Sequence, residues 1–191
     1  MSDFSLDAQT ALVIIDLQKG ILGMPTEPRS GAEVLANAVK LLRAFRAKGL
    51  PAFLVRVAPS MDGKDHLAPT VDGETKWGSG LPPDWAELAP QLEIAPTDFI
   101  ITKRQWGAFT GTELELQLRR RGVKTIVLCG ISTNVGVEST ARFAYELGFD
   151  QVLVEDAMAA RTAEEHAFPL RTCFPRLGRV RSTQEVLRSL A

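Results

Sequence analysis

The sequence predicts an α/β fold in which a doubly wound, mostly parallel sheet of about six strands carries helices on both faces. Short apolar runs alternate along the chain with segments of helical periodicity, which is the order of elements in parallel α/β sheets. The first run, 11–17, is apolar except for Asp16, as in a strand buried on both faces. The length of 191 residues, 45% of them hydrophobic, suits a single domain spanning 1–191.

The first part of the chain predicts one βαβ unit. After the strand at 11–17, apolar residues recur at helical spacing from Gly31. Lys48 and Gly49 supply the basic last turn and the glycine that commonly end a helix. Pro51 then opens a second β-rich run at 52–57.

Residues 58–98 interrupt this alternation. They contain six prolines and two tryptophans, Trp77 and Trp85, and only 83–92 has a helical pattern. A connection this long in a compact domain is commonly functional, as a lid or an interface. A surface excursion packed by its own aromatic side chains is an equally open interpretation.

The remaining sequence predicts four more strands and the helices between and after them. Thr162 with Glu165, and Ser182 with Glu185, have the spacing of helix N-caps. Pro169 should shorten, bend or restart the helix that Thr162 begins. The leucines predicted to pack the helix after 112 are Leu114, Leu116 and Leu118. The predicted strands are 99–102, 125–129, 151–154 and an edge strand at 179–181.

Charge and composition exclude several classes of protein. The chain has 22 basic and 23 acidic residues, and neither sign forms a long block, so nucleic acid is not an expected partner. The first residues lack the features of a signal peptide, and no apolar run approaches the ~20 residues of a membrane span. We therefore expect a cytoplasmic protein with no membrane partner. The two cysteines, Cys129 and Cys173, form no disulfide framework and are expected to be reduced.

The segment 125–140 reads as a strand, a tight turn and the start of a helix. An apolar run ends at Gly130, polar residues 132–134 follow, and helix-compatible sequence runs from about Val135 to Leu147. In an open parallel sheet such a junction lies at the carboxyl end of a strand, where ligands bind and helix N-termini attract anions. We therefore expect the functional site here.

Residues 130–142, G-I-S-T-N-V-G-V-E-S-T-A-R, resemble the nucleophile segment of the isochorismatase-like hydrolases. Two further segments share the resemblance, A-L-V-I-I-D-L-Q at 11–18 and K-R-Q-W-G-A-F-T-G-T-E-L at 103–114. The resemblance implies a three-layer α/β/α sandwich. Most members carry a nucleophilic cysteine at the position of Gly136, and this chain has glycine there.

The resemblance also assigns roles to single residues. Asp16 matches the acid/base aspartate of the family and Lys103 its lysine. Without the resemblance, such an aspartate is as often a cap as a catalyst, and such a lysine is far more often a solvated side chain. Ser132 and Gly136 match the positions whose backbone N–H groups form the oxyanion hole in the cysteine-bearing relatives. A non-proline cis peptide between Ile131 and Ser132 is implied as well.

Another nucleophile has weak support in the sequence. Cys129 belongs to the predicted buried strand and Cys173 to a late helix. Ser132 or Thr133 would need an adjacent base, for which Asp16 is the available candidate.

Metal binding is not expected, because Asp62, Asp65, His66 and the distant His166 form an incomplete ligand set. No cofactor fingerprint is present either. The candidate substrate-binding residues are Arg56, Trp106 and Phe109.

The function predicted from these residues is hydrolysis of a small enol-ether, isochorismate-like substrate without covalent catalysis. True isochorismatases resemble this chain in keeping the aspartate and the lysine while having glycine in place of the cysteine. Two alternatives remain open: a non-catalytic small-molecule binding protein, and an amidase-type hydrolase that uses another nucleophile. The resemblance also favours a homo-oligomer, a dimer or a tetramer.

Overall fold

Six parallel strands form one sheet in the computed structural model, which describes residues 5–65, 67–73 and 80–190. The sheet order is β3-β2-β1-β4-β5-β6, and every neighbouring pair is parallel. The strands are β1 (Thr10–Ile15), β2 (Ala52–Val57), β3 (Phe99–Lys103), β4 (Thr125–Ile131), β5 (Asp150–Ala159) and β6 (Arg179–Arg181). The predicted fold class is therefore confirmed.

Helices cover both faces of this sheet. They are α1 (Lys19–Leu22), α2 (Gly31–Ala47), α3 (Leu114–Arg120), α4 (Glu138–Glu146), α5 (Ala163–Thr172), α6 (Phe174–Leu177) and α7 (Thr183–Ser189). Alternate residues of β1 point to opposite layers: Leu12 and Ile14 join the core beneath α2 and α7. Val13 and Ile15 join the core beneath α3, α4 and α6. The arrangement is the three-layer α/β/α sandwich.

The order of the strands places a topological switch point between β1 and β4. From β1 the chain builds outwards through β2 and β3, and it then returns to the other side of β1 to begin β4. Ligands of open α/β sheets bind in the crevice that forms where the strand order reverses. The carboxyl ends of β1 and β4 carry Asp16 and the segment from Ser132 onward.

The helix predicted at 83–92 was wrong, since this segment contains only turns and a short 3₁₀ helix at Pro90–Leu92. Besides the bonds of its short turns, its backbone groups bond to residues 17–20: Gly20 donates to the Trp85 carbonyl oxygen at 3.0 Å, and Ala89 donates to that of Leu17 at 3.0 Å. Trp85 lies directly on Gly20, where a Cβ atom would come within 1.9 Å of the indole ring. Residues 83–92 are therefore packed against residues 17–20.

Smaller differences concern element length and packing. Leu114 and Leu118 are buried in α3 as predicted, but Leu116 is exposed. β4 continues two residues beyond the prediction and β5 five. The N-caps at Thr162 and Ser182 are confirmed, because each side chain accepts a hydrogen bond from the backbone N–H three residues later. α5 runs through Pro169 to Thr172, and the short α6 follows.

Trp77 and His66 lie outside the described residues. In the part of the chain that is described, no helix has the length and apolar character needed to cross a membrane.

Candidate active site

Asp16 follows β1 directly, at the switch point. Its backbone φ is 52°, a left-handed conformation that is uncommon for a residue other than glycine and costs about 1–3 kcal/mol. The residue is 5% exposed. Oδ2 accepts a hydrogen bond from Lys103 Nζ at 2.7 Å, whereas the buried Oδ1 has no hydrogen-bond partner within the described residues. One carboxyl oxygen is thus held by the lysine and the other is unpaired.

Lys103 ends β3 and reaches past the end of β2 to meet Asp16. The side chain is 2% exposed, and Nζ also donates to the backbone carbonyl oxygen of Gln105 at 3.0 Å. Gln105 belongs to residues 104–113, which we call the lysine loop. Burying an ammonium group without hydrogen-bond partners is energetically unfavourable. The bonds to Asp16 and Gln105 therefore hold the Lys103 ammonium in this position.

Burial raises the pKa of Asp16 from 3.8 to about 6, while the charge of Lys103 and its hydrogen bond lower it. Taking a carboxylate out of water disfavours its charged form, and a nearby cation only partly offsets this effect. A carboxyl group with a pKa of about 6 holds its proton in a useful fraction of molecules near neutral pH. It can therefore act as a general acid.

The end of β4 and the turn that follows it, residues 130–137, lie against Asp16, and we call this segment the glycine turn. It contains the cis peptide bond between Ile131 and Ser132 that the resemblance implied. Gly130 has a φ of +125°, and a Cβ atom there would lie 2.0 Å from the carbonyl oxygen of Ile15. Only glycine permits this approach between the ends of β1 and β4. Residues Thr133–Val137 then form one π-helical turn that leads into α4.

Gly136 faces the Asp16 carboxyl group. A Cβ atom on Gly136 would lie 3.1 Å from Asp16 Oδ2 and 2.9 Å from Ile15 Cγ2. The structure thus brings together Asp16, Lys103 and Gly136, the three residues that the family resemblance assigns to the site. The N–H groups of Ser132 and Gly136 belong to the same turn, and their role as an oxyanion hole stays a prediction.

Residues 10–185 match the isochorismatase domain family. The chain is 51% identical over 189 residues to the isochorismatase family protein YwoC of Bacillus subtilis, which covers 98% of this chain and 97% of YwoC. The chain belongs to the isochorismatase family. YecD of Escherichia coli O157:H7 is 52% identical over 181 residues, covering 95% of this chain and 96% of YecD. The solved structure of an isochorismatase family protein from Burkholderia thailandensis is 45% identical and covers 97% of each chain, with a TM-score of 0.94.

This isochorismatase-family hydrolase places the three predicted substrate-binding residues in different surroundings. Trp106 is 62% exposed, and its carbonyl oxygen lies 3.5 Å from the place of a Cβ atom on Gly136. Phe109 is instead 6% exposed and stacks on Phe149 with ring centroids 5.9 Å apart, so core packing accounts for it. Arg56 Nε donates to Thr102 Oγ1 at 3.1 Å. Trp106 is the strongest of the three candidates.

Sequence reasoning missed the polar contacts behind the glycine turn. Thr133 Oγ1 lies 2.8 Å from His166 Nδ1, and both side chains are buried. Burial and the positive charge of Arg29 lower the pKa of His166 to about 4, so its imidazole is neutral near neutral pH. The base beside Thr133 is therefore His166, not Asp16. No local signal indicated the pair, because its members are 33 residues apart.

Gln18 is a second missed residue. Its fully buried side chain donates to the carbonyl oxygen of Val57 at 3.0 Å and accepts from the N–H of Val57 at 2.9 Å. The same Nε2 contacts the carbonyl oxygen of Trp85 at 3.3 Å. Gln18 thereby joins the end of β2 to the segment 83–92. A signal existed, since a glutamine directly after a buried strand needs partners.

Both cysteines are buried, and Cys173 lies beside the charged side chains of Glu138, Arg142 and Arg176. Cys129 is in the core, as predicted, and burial raises the pKa of its thiol well above the usual range. Burial also raises the pKa of Cys173, between α5 and α6. Both thiols are thus poor nucleophiles. Among the residues that the structure describes, no three or more His, Cys, Asp or Glu side chains are grouped to hold a metal ion.

Proposed function

We propose that this protein hydrolyses a small enol ether by protonating its vinyl carbon, without a covalent intermediate. The observation that carries the proposal is the buried Asp16 carboxyl group, which has a pKa of about 6 and one oxygen without a hydrogen-bond partner in the described part of the chain. It faces a glycine where a covalent mechanism in this family would use a thiol. An acid is present at the site, and the cysteine nucleophile is not.

The reaction needs three proton transfers and one water molecule. Asp16 gives its proton to the terminal vinyl carbon, and the double-bond electrons form that new C–H bond. The adjacent carbon becomes an oxocarbenium ion, to which water adds while its proton returns to the Asp16 carboxylate. In the resulting hemiketal the C–O bond to the departing group breaks while the hydroxyl proton passes to the departing oxygen, which yields a carbonyl compound and an alcohol and leaves Asp16 protonated for the next cycle.

Lys103 and the glycine turn have separate roles in this scheme. The ammonium of Lys103 stabilises the Asp16 carboxylate that forms after the first transfer, and it holds Oδ2 so that Oδ1 faces the substrate. The N–H groups of Ser132 and Gly136 would take an anionic group of the substrate, since backbone donors at the start of a helix attract negative charge. The exposed indole of Trp106 would cover an unsaturated ring.

Distant relatives bear names from two kinds of chemistry. A probable isochorismatase of Pseudomonas chlororaphis is 27% identical over 192 residues, covering 98% of this chain. A ureidoacrylate amidohydrolase of Agrobacterium fabrum is 30% identical over 178 residues, covering 78% of this chain. The first name agrees with the acid-catalysed mechanism and the second with amide hydrolysis.

Amide hydrolysis is the second candidate function, because Thr133 and His166 are a hydroxyl group and a base within hydrogen-bond distance. Two properties weigh against Thr133 as a nucleophile. Its side chain is fully buried, and a histidine whose pKa is about 4 is a weak base at neutral pH. The acid-catalysed reaction instead needs only the Asp16 carboxyl group and the Lys103 ammonium group in the positions that they already occupy.

A substrate panel tests the choice. We expect isochorismate, as the enol-ether probe, to be turned over, while amide and carbamoyl substrates are not, with products identified by mass spectrometry. Turnover of the enol ether should persist after treatment with iodoacetamide, since both cysteines are buried. Amide turnover that is lost in Thr133→Val would instead support the second candidate. Binding of the probe without turnover would indicate a non-catalytic binding protein.

A further inference from the structure

Thr140 lies in the first turn of α4, between the two loops that form the site. Its fully buried hydroxyl donates to the Gly136 carbonyl oxygen at 2.6 Å and accepts from the backbone N–H of Ala108 at 3.1 Å. A bond to the carbonyl group four residues earlier is ordinary for threonine in a helix. The bond from Ala108 is different, because Ala108 belongs to the lysine loop.

The lysine loop connects this bond to the catalytic ammonium. Its backbone lies directly on α4, since a Cβ atom on Gly107 would come within 3.6 Å of Ser139 Cβ. Gln105 Nε2 donates to the Gly107 carbonyl oxygen at 3.1 Å, and the carbonyl oxygen of Gln105 accepts from Lys103 Nζ at 3.0 Å. The position of the ammonium therefore depends on how the loop sits against α4.

We propose that Thr140 is a positioning residue, which fixes the lysine loop against the glycine turn and thereby sets the distance between Lys103 Nζ and Asp16 Oδ2. One hydroxyl group bonds the backbone of both loops: the lysine loop begins directly after Lys103, and the glycine turn contains Gly136. The inference rests on the roles proposed for Asp16 and Lys103, but Thr140 itself touches no substrate.

The consequence can be measured without a substrate. Lys103 lowers the pKa of Asp16 and so opposes the effect of burial. When the loop loses its bond to Thr140, the ammonium can move away from the carboxylate, and the pKa of Asp16 then rises. Arg104, the neighbouring cation, is engaged with Asp65 and does not take the place of Lys103.

The experiment is a carboxyl carbon NMR titration of the full chain, with the Asp16 signal assigned by its absence in Asp16→Asn. In Thr140→Val, which replaces the hydroxyl by a methyl group of similar size, we expect the pKa of Asp16 to rise by about 1 unit. A nearby cation lowers the pKa of a carboxyl group by about 1–3 units. The expected rise is at the low end of this range, because Lys103 is displaced but not removed. Thr140→Ser keeps the hydroxyl and should retain the parent pKa.

Thr140→Ala also removes the hydroxyl group, and alanine strongly favours the helix. This variant provides the same test if Thr140→Val does not fold. An Asp16 pKa that stays at the parent value in a folded variant without the hydroxyl would overturn the inference and leave Thr140 a purely structural residue. A shifted pKa in a protein that turns over no enol ether would support the inference while rejecting the proposed function.

Discussion

Replacing Asp16 with asparagine is expected to lower the turnover of an enol-ether substrate by about 10²- to 10⁴-fold, the usual contribution of a general acid. The amide oxygen of asparagine can still accept a hydrogen bond from Lys103 Nζ, but the amide group has no acidic proton to give to carbon. The measurement is kcat at pH 6, made on protein whose circular dichroism matches that of the parent.

Asp65→Asn is the matched control. Asp65 also pairs with a cation of the lysine loop, Arg104, yet it lies outside the site, so its loss should leave turnover close to the parent value. Undiminished turnover by a folded Asp16→Asn protein would show that Asp16 is not the acid.

The same variant should change how stability depends on pH. The pKa of Asp16 is raised from 3.8 to about 6 by folding, so the stability that its protonated form contributes is full below pH 3.8. This contribution is lost as the pH rises through 6, by a total on the order of 3 kcal/mol. The free energy of unfolding of Asp16→Asn, measured by urea denaturation, should therefore increase relative to that of the parent by about this amount between pH 4 and pH 7. The opposite dependence expected from His166 is present in both proteins and cancels.

Replacing Gly136 with cysteine is expected to create a thiol that reacts with iodoacetamide at least about tenfold faster than either native cysteine. Its Cβ atom would lie 3.1 Å from Asp16 Oδ2, so the carboxylate is placed to take the thiol proton. The Lys103 ammonium and the start of α4 both favour the thiolate. Ile15 Cγ2, at 2.9 Å from that Cβ atom, must move by a few tenths of an ångström, and such overpacking typically costs about 1–3 kcal/mol.

Gly136→Ala separates the two effects. It adds the same Cβ atom without the thiol, so its stability measures the steric cost alone. A folded Gly136→Cys protein whose new thiol reacts no faster than Cys173 would show that the glycine turn no longer supports a nucleophile. In that case Gly136 serves close packing only.

The sequence predicted most elements because their signals are local. The caps at Thr162 and Ser182 depend on residues three positions apart, and the apolar run at β1 is continuous. The segment 83–92 was misassigned because several of its backbone groups bond to residues 17–20, more than 60 positions away, for instance the Trp85 carbonyl oxygen to the N–H of Gly20. Helical periodicity cannot report such partners.

Strand order and the polar contacts of the site were beyond the sequence for the same reason. β1 pairs with β4 through partners such as Thr10 and Thr125, and no local pattern indicates which strands become neighbours. Asp16 and Lys103 were identified through the resemblance to the family, whereas nothing in the sequence showed that their carboxyl and ammonium groups would meet. Thr140 was missed because its partner Ala108 lies 32 residues away.

Hydrolysis of isochorismate in D₂O tests the central claim, protonation at carbon by Asp16, most directly. We expect each turnover to place one deuterium on the former vinyl carbon, seen as a singly deuterated methyl group by mass spectrometry and proton NMR. The carbonyl product, incubated with the protein in D₂O for the same time, controls for later exchange of that methyl group. The same reaction in D₂¹⁸O that leaves ¹⁸O in the departing alcohol would contradict the claim, because water would then have attacked the alcohol carbon and the released enol would have taken up its deuterium from solution.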